Sequence, residues 1–279
     1  MHILQFAKDL TELLSSTKNT IGFVPTMGAL HEGHLSLIQQ AKQENEITVC
    51  SIFVNPTQFN DPKDFAKYPI TIAEDIEKLL SVGTDILFLP DVKEMYPFGM
   101  DNLEVYVIGY LDTILDGKYR PGHFNGVCNI VHKLLMIVEP TRLYMGQKDF
   151  QQCLVVKRLL EITQSSVELI TCSTLRESDG LAMSSRNTLL STESREKARA
   201  IYSCLQYIRT HWQIQSFTIL AEHCAGELRE IGLEPEYILL AEADTLILLP
   251  DFDSSRKMVV LIAAKLDGIR LIDNLLIVH

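Results

Sequence analysis

Residues 21–41 read IGFVPTMGALHEGHLSLIQQA, and the rest of the chain is best read outward from them. Ile21 to Val24 is a short apolar run suited to a buried strand, and Pro25 is expected to end it. Thr26, Met27 and Gly28 make a tight connection. An amphipathic helix is expected from His34, with Leu35, Ile38 and Ala41 as its apolar stripe. Strand, glycine-containing turn and helix in this order aim backbone N–H groups outward at the helix start, where an anion can sit. His31 and His34 lie three apart, so on a helical turn both rings point to one side. A zinc site would need a third and a fourth ligand, and no metal site is assigned. The stretch has neither the GK[ST] ending of a Walker A loop nor a GxGxxG fingerprint. On spacing alone, phosphate binding and ordinary capping both remain open.

Downstream the chain alternates strands and helices. EITVCSIFV (46–54) is nearly continuous in apolar character, as a central parallel strand is. It runs into Asn55-Pro56-Thr57-Gln58-Phe59, and ligands gather beyond the carboxyl ends of such strands, where Gln58 falls. Residues 70–81 read as a helix, 85–89 as a strand and 104–108 as a further short strand. KYRPGHFNGVCNIVHKLLMIV (118–138) opens as a loop and becomes a helix, with His123 beside Arg120 at its start and His132 within it as a packing or surface residue. Arg142 to Met145 is a strand leading into Gly146, Gln147, Lys148 and Asp149, a second strand-to-polar-turn-to-helix junction, with Gln152 on the first turn of the helix. Lys148 is the residue of that turn able to put a full positive charge on phosphate. After a strand at 167–172, Ser184, Ser185 and Arg186 crowd polar donors into one turn, suited to charge that shifts during a reaction. These serines lack the context of a nucleophile elbow.

A helix is expected from Glu193 to about His211, another over 216–230, and strands over 235–240, 257–264 and 269–277. Two helices and three strands suit a small α+β unit. The expected class is therefore α/β: a Rossmann-like parallel sheet over residues 1–175, then a hinge, the serine–arginine loop and a small α+β lid over 176–279.

Composition sets limits. The 279 residues carry a formal net charge of -11, which argues against a nucleic-acid partner. The six cysteines are scattered and form no CxxC pair, as expected of buried thiols in a reducing compartment. No run reaches membrane-spanning length and the N-terminal stretch does not read as a signal peptide, so no membrane partner and a cytoplasmic location are expected.

HxGH after a strand resembles the signature of the class I nucleotidyltransferase and aminoacyl-tRNA synthetase superfamily. The longer strings PTMGALHEGH (25–34), FVNPTQF (53–59), RPGHFNGV (120–127), GQKDFQQ (146–152), RESDGLAMSSRN (176–187) and GIRLIDNLLI (268–277) resemble the pantothenate synthetase (pantoate–beta-alanine ligase) family over essentially the whole chain. The resemblance implies ATP contacts from Met27, Gly28, Ala29, Leu30, His31, Glu32, Gly33 and His34. It implies further ATP contacts from Gly146, Gln147, Lys148 and Asp149, from Leu175, and from Met183, Ser184, Ser185 and Arg186. His34 is the implied proton donor, with His31, Lys148 and Arg186 beside it in catalysis. Gln58 and Gln152 are the implied pantoate contacts, and Gln58 also touches beta-alanine. Ala182 stands where the superfamily's KMSKS loop has its first lysine, so Lys148 and Arg186 are left to supply cationic contacts.

The implied reaction is the AMP-forming condensation of pantoate with beta-alanine through a pantoyl adenylate, with ATP and Mg²⁺, in a homodimer. It needs no side-chain nucleophile, because the pantoate carboxylate is already ionised near neutral pH. Two other classes stay open at this level: a nucleotidyltransferase that stops after nucleotidyl transfer, and a nucleotide-binding protein without turnover.

Overall fold

The structure is a computed structural model that describes residues 1–277. The chain divides into two compact units, residues 1–147 with 151–173, and residues 148–150 with 174–279.

The first unit is built on strands β1 (His2–Leu4), β2 (Ile21–Thr26), β3 (Ile47–Ile52), β4 (Ile86–Phe88), β5 (Arg142–Gly146) and β6 (Glu168–Cys172). Among the described residues these make one parallel sheet in the order β1-β4-β3-β2-β5-β6. Its helices are α1 (Ala7–Ser15), α2 (Glu32–Glu44), α3 (Pro62–Lys67), α4 (Ile72–Ser81), α5 (Val92–Met95), α6 (Leu115–Tyr119), α7 (His123–Val138) and α8 (Phe150–Ile162). Side chains alternate across the sheet as strand geometry requires. Phe23, Val49, Ile86 and Leu143 pack with α1, α7 and α8, while Val24, Cys50, Leu87 and Tyr144 pack with α2 and α4. Both faces are covered, which is why the strands read as continuous apolar runs.

Pro25 does not end β2. The strand runs on to Thr26, in register with β3 as far as Ile52. Thr26 O accepts from Phe53 N on the β3 side, whereas Ile21 O accepts from Thr141 N on the β5 side. By alternation Pro25 faces β5, where pairing stops at Phe23, so its missing N–H breaks no ladder bond. No strand forms at 104–108. Tyr106 N donates to Asn125 Oδ1 and Asn129 Nδ2 donates to Glu104 O, so α7 side chains take the backbone groups that a sheet would have used. His132 accepts or donates at Nδ1 to Tyr106 Oη, 2.6 Å away, a packing role. The N-terminal edge strand β1 is too short, at three residues, to carry a usable periodicity.

The second unit has α9 (Thr192–Ala198), α10 (Ala200–His211) and α11 (Phe217–Glu230) against an antiparallel sheet of β7 (Glu234–Glu242), β8 (Met258–Leu266) and β9 (Ile269–Ile277). Asp267 (φ 51°) and Gly268 (φ 76°) link β8 to β9, a two-residue turn of the kind that matches strand twist. The loop between β6 and α9 is anchored twice. Arg176 makes a two-pronged ion pair with the buried Asp273 of β9 at 2.6 and 3.0 Å, with its guanidinium 4.0 Å from the Tyr202 ring centroid. Arg195 of α9 grips Asp179 at 2.7 and 3.1 Å and Glu177 at 3.1 Å.

All six cysteines are buried thiols outside any disulfide, and burial pushes Cys50 and Cys128 up to about 12. No helix among the described residues is long and apolar enough to cross a membrane.

Two outcomes follow from this packing. A Cβ on Gly126 would lie 2.2 Å from the Thr57 carbonyl oxygen, a backbone atom with nowhere to go. Gly126→Ala should therefore destabilise the first unit by about 1–3 kcal/mol in urea unfolding and displace the turn that holds Gln58. The second outcome is pH-dependent. The Arg195 guanidinium holds the Asp179 carboxyl below its usual value, so its contribution is complete above the ordinary aspartate pKa and fades as pH falls through the lowered folded value. Urea melts should show parent more stable than Asp179→Asn by a constant margin above about pH 5 that narrows towards acid; a margin independent of pH refutes the assignment.

Candidate active site

In the first unit, the carboxyl end of β2 leads into a turn with Gly28 at φ 82° and Ala29 at φ 48°. Thr26 Oγ1 donates to Ser51 O (2.8 Å) and accepts from Gly28 N (3.2 Å), closing the turn onto β3. Helix α2 begins at Glu32 rather than at His34, because His31 takes the N-cap position with extended backbone. Its Nδ1 accepts from Gly33 N at 3.1 Å, and His34 Nδ1 accepts from the His31 backbone N–H at 3.4 Å. This is a reciprocal cap in which two imidazoles do what serine and glutamate usually do. The rings lie against one another, tilted by 35°, with centroids 4.0 Å apart.

That cap decides the chemistry of both rings. A ring nitrogen that accepts a backbone N–H carries no proton, so a neutral imidazole held this way bears its proton on Nε2. Both histidines are thus set as Nε2–H donors at a helix start, where the macrodipole already favours an anion.

Gln58 ends the 3₁₀ turn Pro56–Gln58 after β3. The buried Asn55 before it accepts at Oδ1 from Tyr96 Oη (2.7 Å) and Thr57 Oγ1 (3.0 Å), and donates at Nδ2 to Gln58 Oε1 (3.1 Å) and Gly126 O (3.2 Å). Gln58 Nε2 in turn contacts Met27 Sδ at 3.1 Å, so the amide and the glycine turn share one edge of the sheet. His123 Nδ1 donates to Gln58 O at 2.7 Å, which leaves its Nε2 to meet Arg120 Nη1 at 3.2 Å. Gln152 lies partly exposed on the first turn of α8. Its neighbour Gln151 is buried and structural: it accepts from Asp116 N and donates to Leu111 O and Ile114 O.

In the second unit, Lys148 is mostly buried and lies 3.7 Å from Asp149 Oδ1, not a freely solvated lysine. Asn274 of β9 donates to its carbonyl at 2.9 Å. In the β6–α9 loop, Met183 N donates to Leu175 O (3.1 Å), joining the two ends. Ser184 caps the 3₁₀ turn Ser185–Leu189 by accepting from Arg186 N (3.3 Å), and Ser185 is buried. Arg176 is committed to the buried Asp273 of β9.

Among the described residues no group of three or more His, Cys, Asp and Glu side chains is gathered as a bound metal requires. Sequence reasoning passed over Asn55, Asp75, Lys78 and Asn274. Only Asn55 had a local signal, as an Asn-Pro pair that starts a turn; the others act on residues far away in the chain.

A family model described as pantoate-beta-alanine ligase matches residues 2–276. Pantothenate synthetase from Cytophaga hutchinsonii is 47% identical over 265 residues, which is 93% of this chain and 92% of that protein. The enzyme from Phocaeicola vulgatus is 42% identical over 288 residues, 99% of each. The crystal structure of pantothenate synthetase from Thermus thermophilus matches with a TM-score of 0.91 at 39% identity, over 99% of both chains. Pantoate-beta-alanine ligase from Francisella tularensis, solved with beta-gamma ATP and beta-alanine, matches with a TM-score of 0.85 at 37% identity, over 99% of this chain and 97% of that one. On the extent of these matches, this chain belongs to the pantoate–beta-alanine ligase family.

Proposed function

We propose that this chain joins (R)-pantoate to beta-alanine at the cost of ATP, through a pantoyl adenylate and with release of AMP and pyrophosphate. The observation that supports it best is the contact of Gln58 Nε2 with Met27 Sδ. It sets an amide suited to a carboxylate against the segment that ends in His31 and His34. Attack of a carboxylate on the α-phosphorus needs an acid pocket and a phosphate site side by side. The first step needs no general base, because the nucleophile is already ionised. What it needs is donors for charge that builds on phosphate oxygens. His34 is assigned that donation at Nε2, with His31, Lys148 and Arg186 adding to it.

The remaining assignments follow the same logic. Met27–His34, Gly146–Asp149, Leu175 and Met183–Arg186 bind ATP. Gln58 and Gln152 hold pantoate through amides that both donate and accept, and Gln58 also meets beta-alanine. Mg²⁺ bound with the nucleotide would supply neutralisation of phosphate charge. Beta-alanine then attacks the activated carbonyl as its free amine, and AMP leaves. Residues 1–175 are assigned nucleotide and pantoate binding, and residues 176–279 the role of a lid. Six buried thiols outside any disulfide fit a cytoplasmic location.

The decisive test uses ATP labelled at the α-phosphate. Pyrophosphate exchange should require pantoate, and the nucleotide product after beta-alanine is added should be AMP. His34→Ala should keep a cooperative melt and lose roughly 100-fold or more of the exchange. ADP as product, or exchange that ignores pantoate, overturns the reading.

The partner is assigned as a second copy of the chain. Val105 and Val107 are 79% and 76% exposed on the extended segment that no sheet takes up, and Phe98 near it is fully exposed. Light scattering at micromolar concentration should give the dimer mass; a monomer mass independent of concentration refutes it.

A further inference from the structure

We propose that Asp75 is a positioning residue for adenylate formation: its buried carboxylate fills the anion-binding turn at Gly28–Leu30 and thereby sets His31 and His34. Gly28 and Ala29 both have positive φ, and in this turn the successive N–H groups of Ala29 and Leu30 point at one carboxylate, as in an anion-binding concavity. In this protein the concavity is already filled. Asp75 is fully buried on α4, Oδ2 accepts from Ala29 N at 2.9 Å, and Oδ1 accepts from Leu30 N at 2.7 Å. One turn further on, Lys78 Nζ donates to Leu30 O at 2.6 Å. One face of α4 therefore grips both the donors and the acceptor of the turn.

Two consequences follow for the histidines. Leu30 is held at both its N–H and its C=O, and that C=O shares a peptide plane with the N–H of the N-cap His31, which aims at His34 Nδ1. The aim of that N–H, and with it the Nε2–H form of His34, depends on the turn staying fixed. Filling the concavity also removes it as a rival phosphate site, so phosphate meets the imidazoles instead. Thr71 Oγ1 donates to the same carboxylate at 3.1 Å without touching the turn, which provides a control.

This inference rests on the ATP role proposed for residues 27–34, and its test separates the two. Histidine ¹⁵N spectra of the whole chain report which ring nitrogen carries the proton. The parent should show His31 and His34 as Nε2–H, and Asp75→Asn should mix the forms of both. In steady-state assays Asp75→Asn should lose roughly 10- to 100-fold in kcat/KM for ATP while KM for pantoate moves less than about twofold. Thr71→Val should leave both the spectra and the kinetics near the parent. Should Asp75→Asn not fold, Lys78→Met removes the second tether of the same turn and should shift the same signals in the same direction. The proposal is overturned if the folded Asp75→Asn keeps parental histidine spectra, if it raises both KM values alike, if Thr71→Val matches it, or if Lys78→Met in its place changes nothing. If the parent makes no AMP with pantoate and beta-alanine, the ATP reading fails, and the spectra alone still decide the role of Asp75.

Discussion

The first-unit site depends on how two backbone N–H groups at the start of α2 are satisfied. A helix start leaves its first amides without partners, and a serine or aspartate would normally take them. Here Gly33 N and His31 N end on imidazole nitrogens instead. The cap that lets the helix begin is the same bond that fixes where each ring carries its proton. The cap and the tautomer are therefore coupled at these two positions. Any change that removes an imidazole also uncaps the helix, and any change that frees the backbone also frees the rings.

Much of this is legible in residues 21–41, because strand, turn and helix follow one another and their signals are local. The apolar stripe Leu35, Ile38 and Ala41 is buried as its spacing requires. Three local rules nevertheless mislead. A proline ordinarily ends a strand, yet Pro25 sits where the neighbouring ladder has already stopped. The helix reads as starting at His34, because imidazole is not an expected cap. The alternation at 104–108 reads as a strand, but Asn125 and Asn129 claim its backbone first. For Pro25 and for 104–108 a partner distant in sequence decides the outcome, and periodicity carries no information about that partner.

The same limit explains which residues stay hidden. Asp75 and Lys78 read as ordinary polar positions on an amphipathic helix, since the turn they hold is more than forty residues away. Lys148 reads as a cation for phosphate, but its own turn does not show what holds it in place. Its carbonyl is in fact held by Asn274, and the loop that carries Ser184–Arg186 is held by Arg176 on Asp273. Residues that a motif string names can be read from the sequence. Residues that hold them lie in ordinary secondary structure and show only in three dimensions.

The adjacent pair Asp273 and Asn274 has a consequence for how the second unit folds. Their bonds close loops of very different origin: Arg176 is 97 residues away and Lys148 is 126. Contacts of such separation carry the chain entropy of closing long loops. The Asp267-Gly268 turn sets the register of β9 on β8, and only a strand paired in that register offers its carboxylate and amide together. The anchoring of that loop and of the Lys148 turn thus depends on the register of β9. A slip of β9 by one residue would turn both side chains to the other face, and the loop and the Lys148 turn would lose their anchors together.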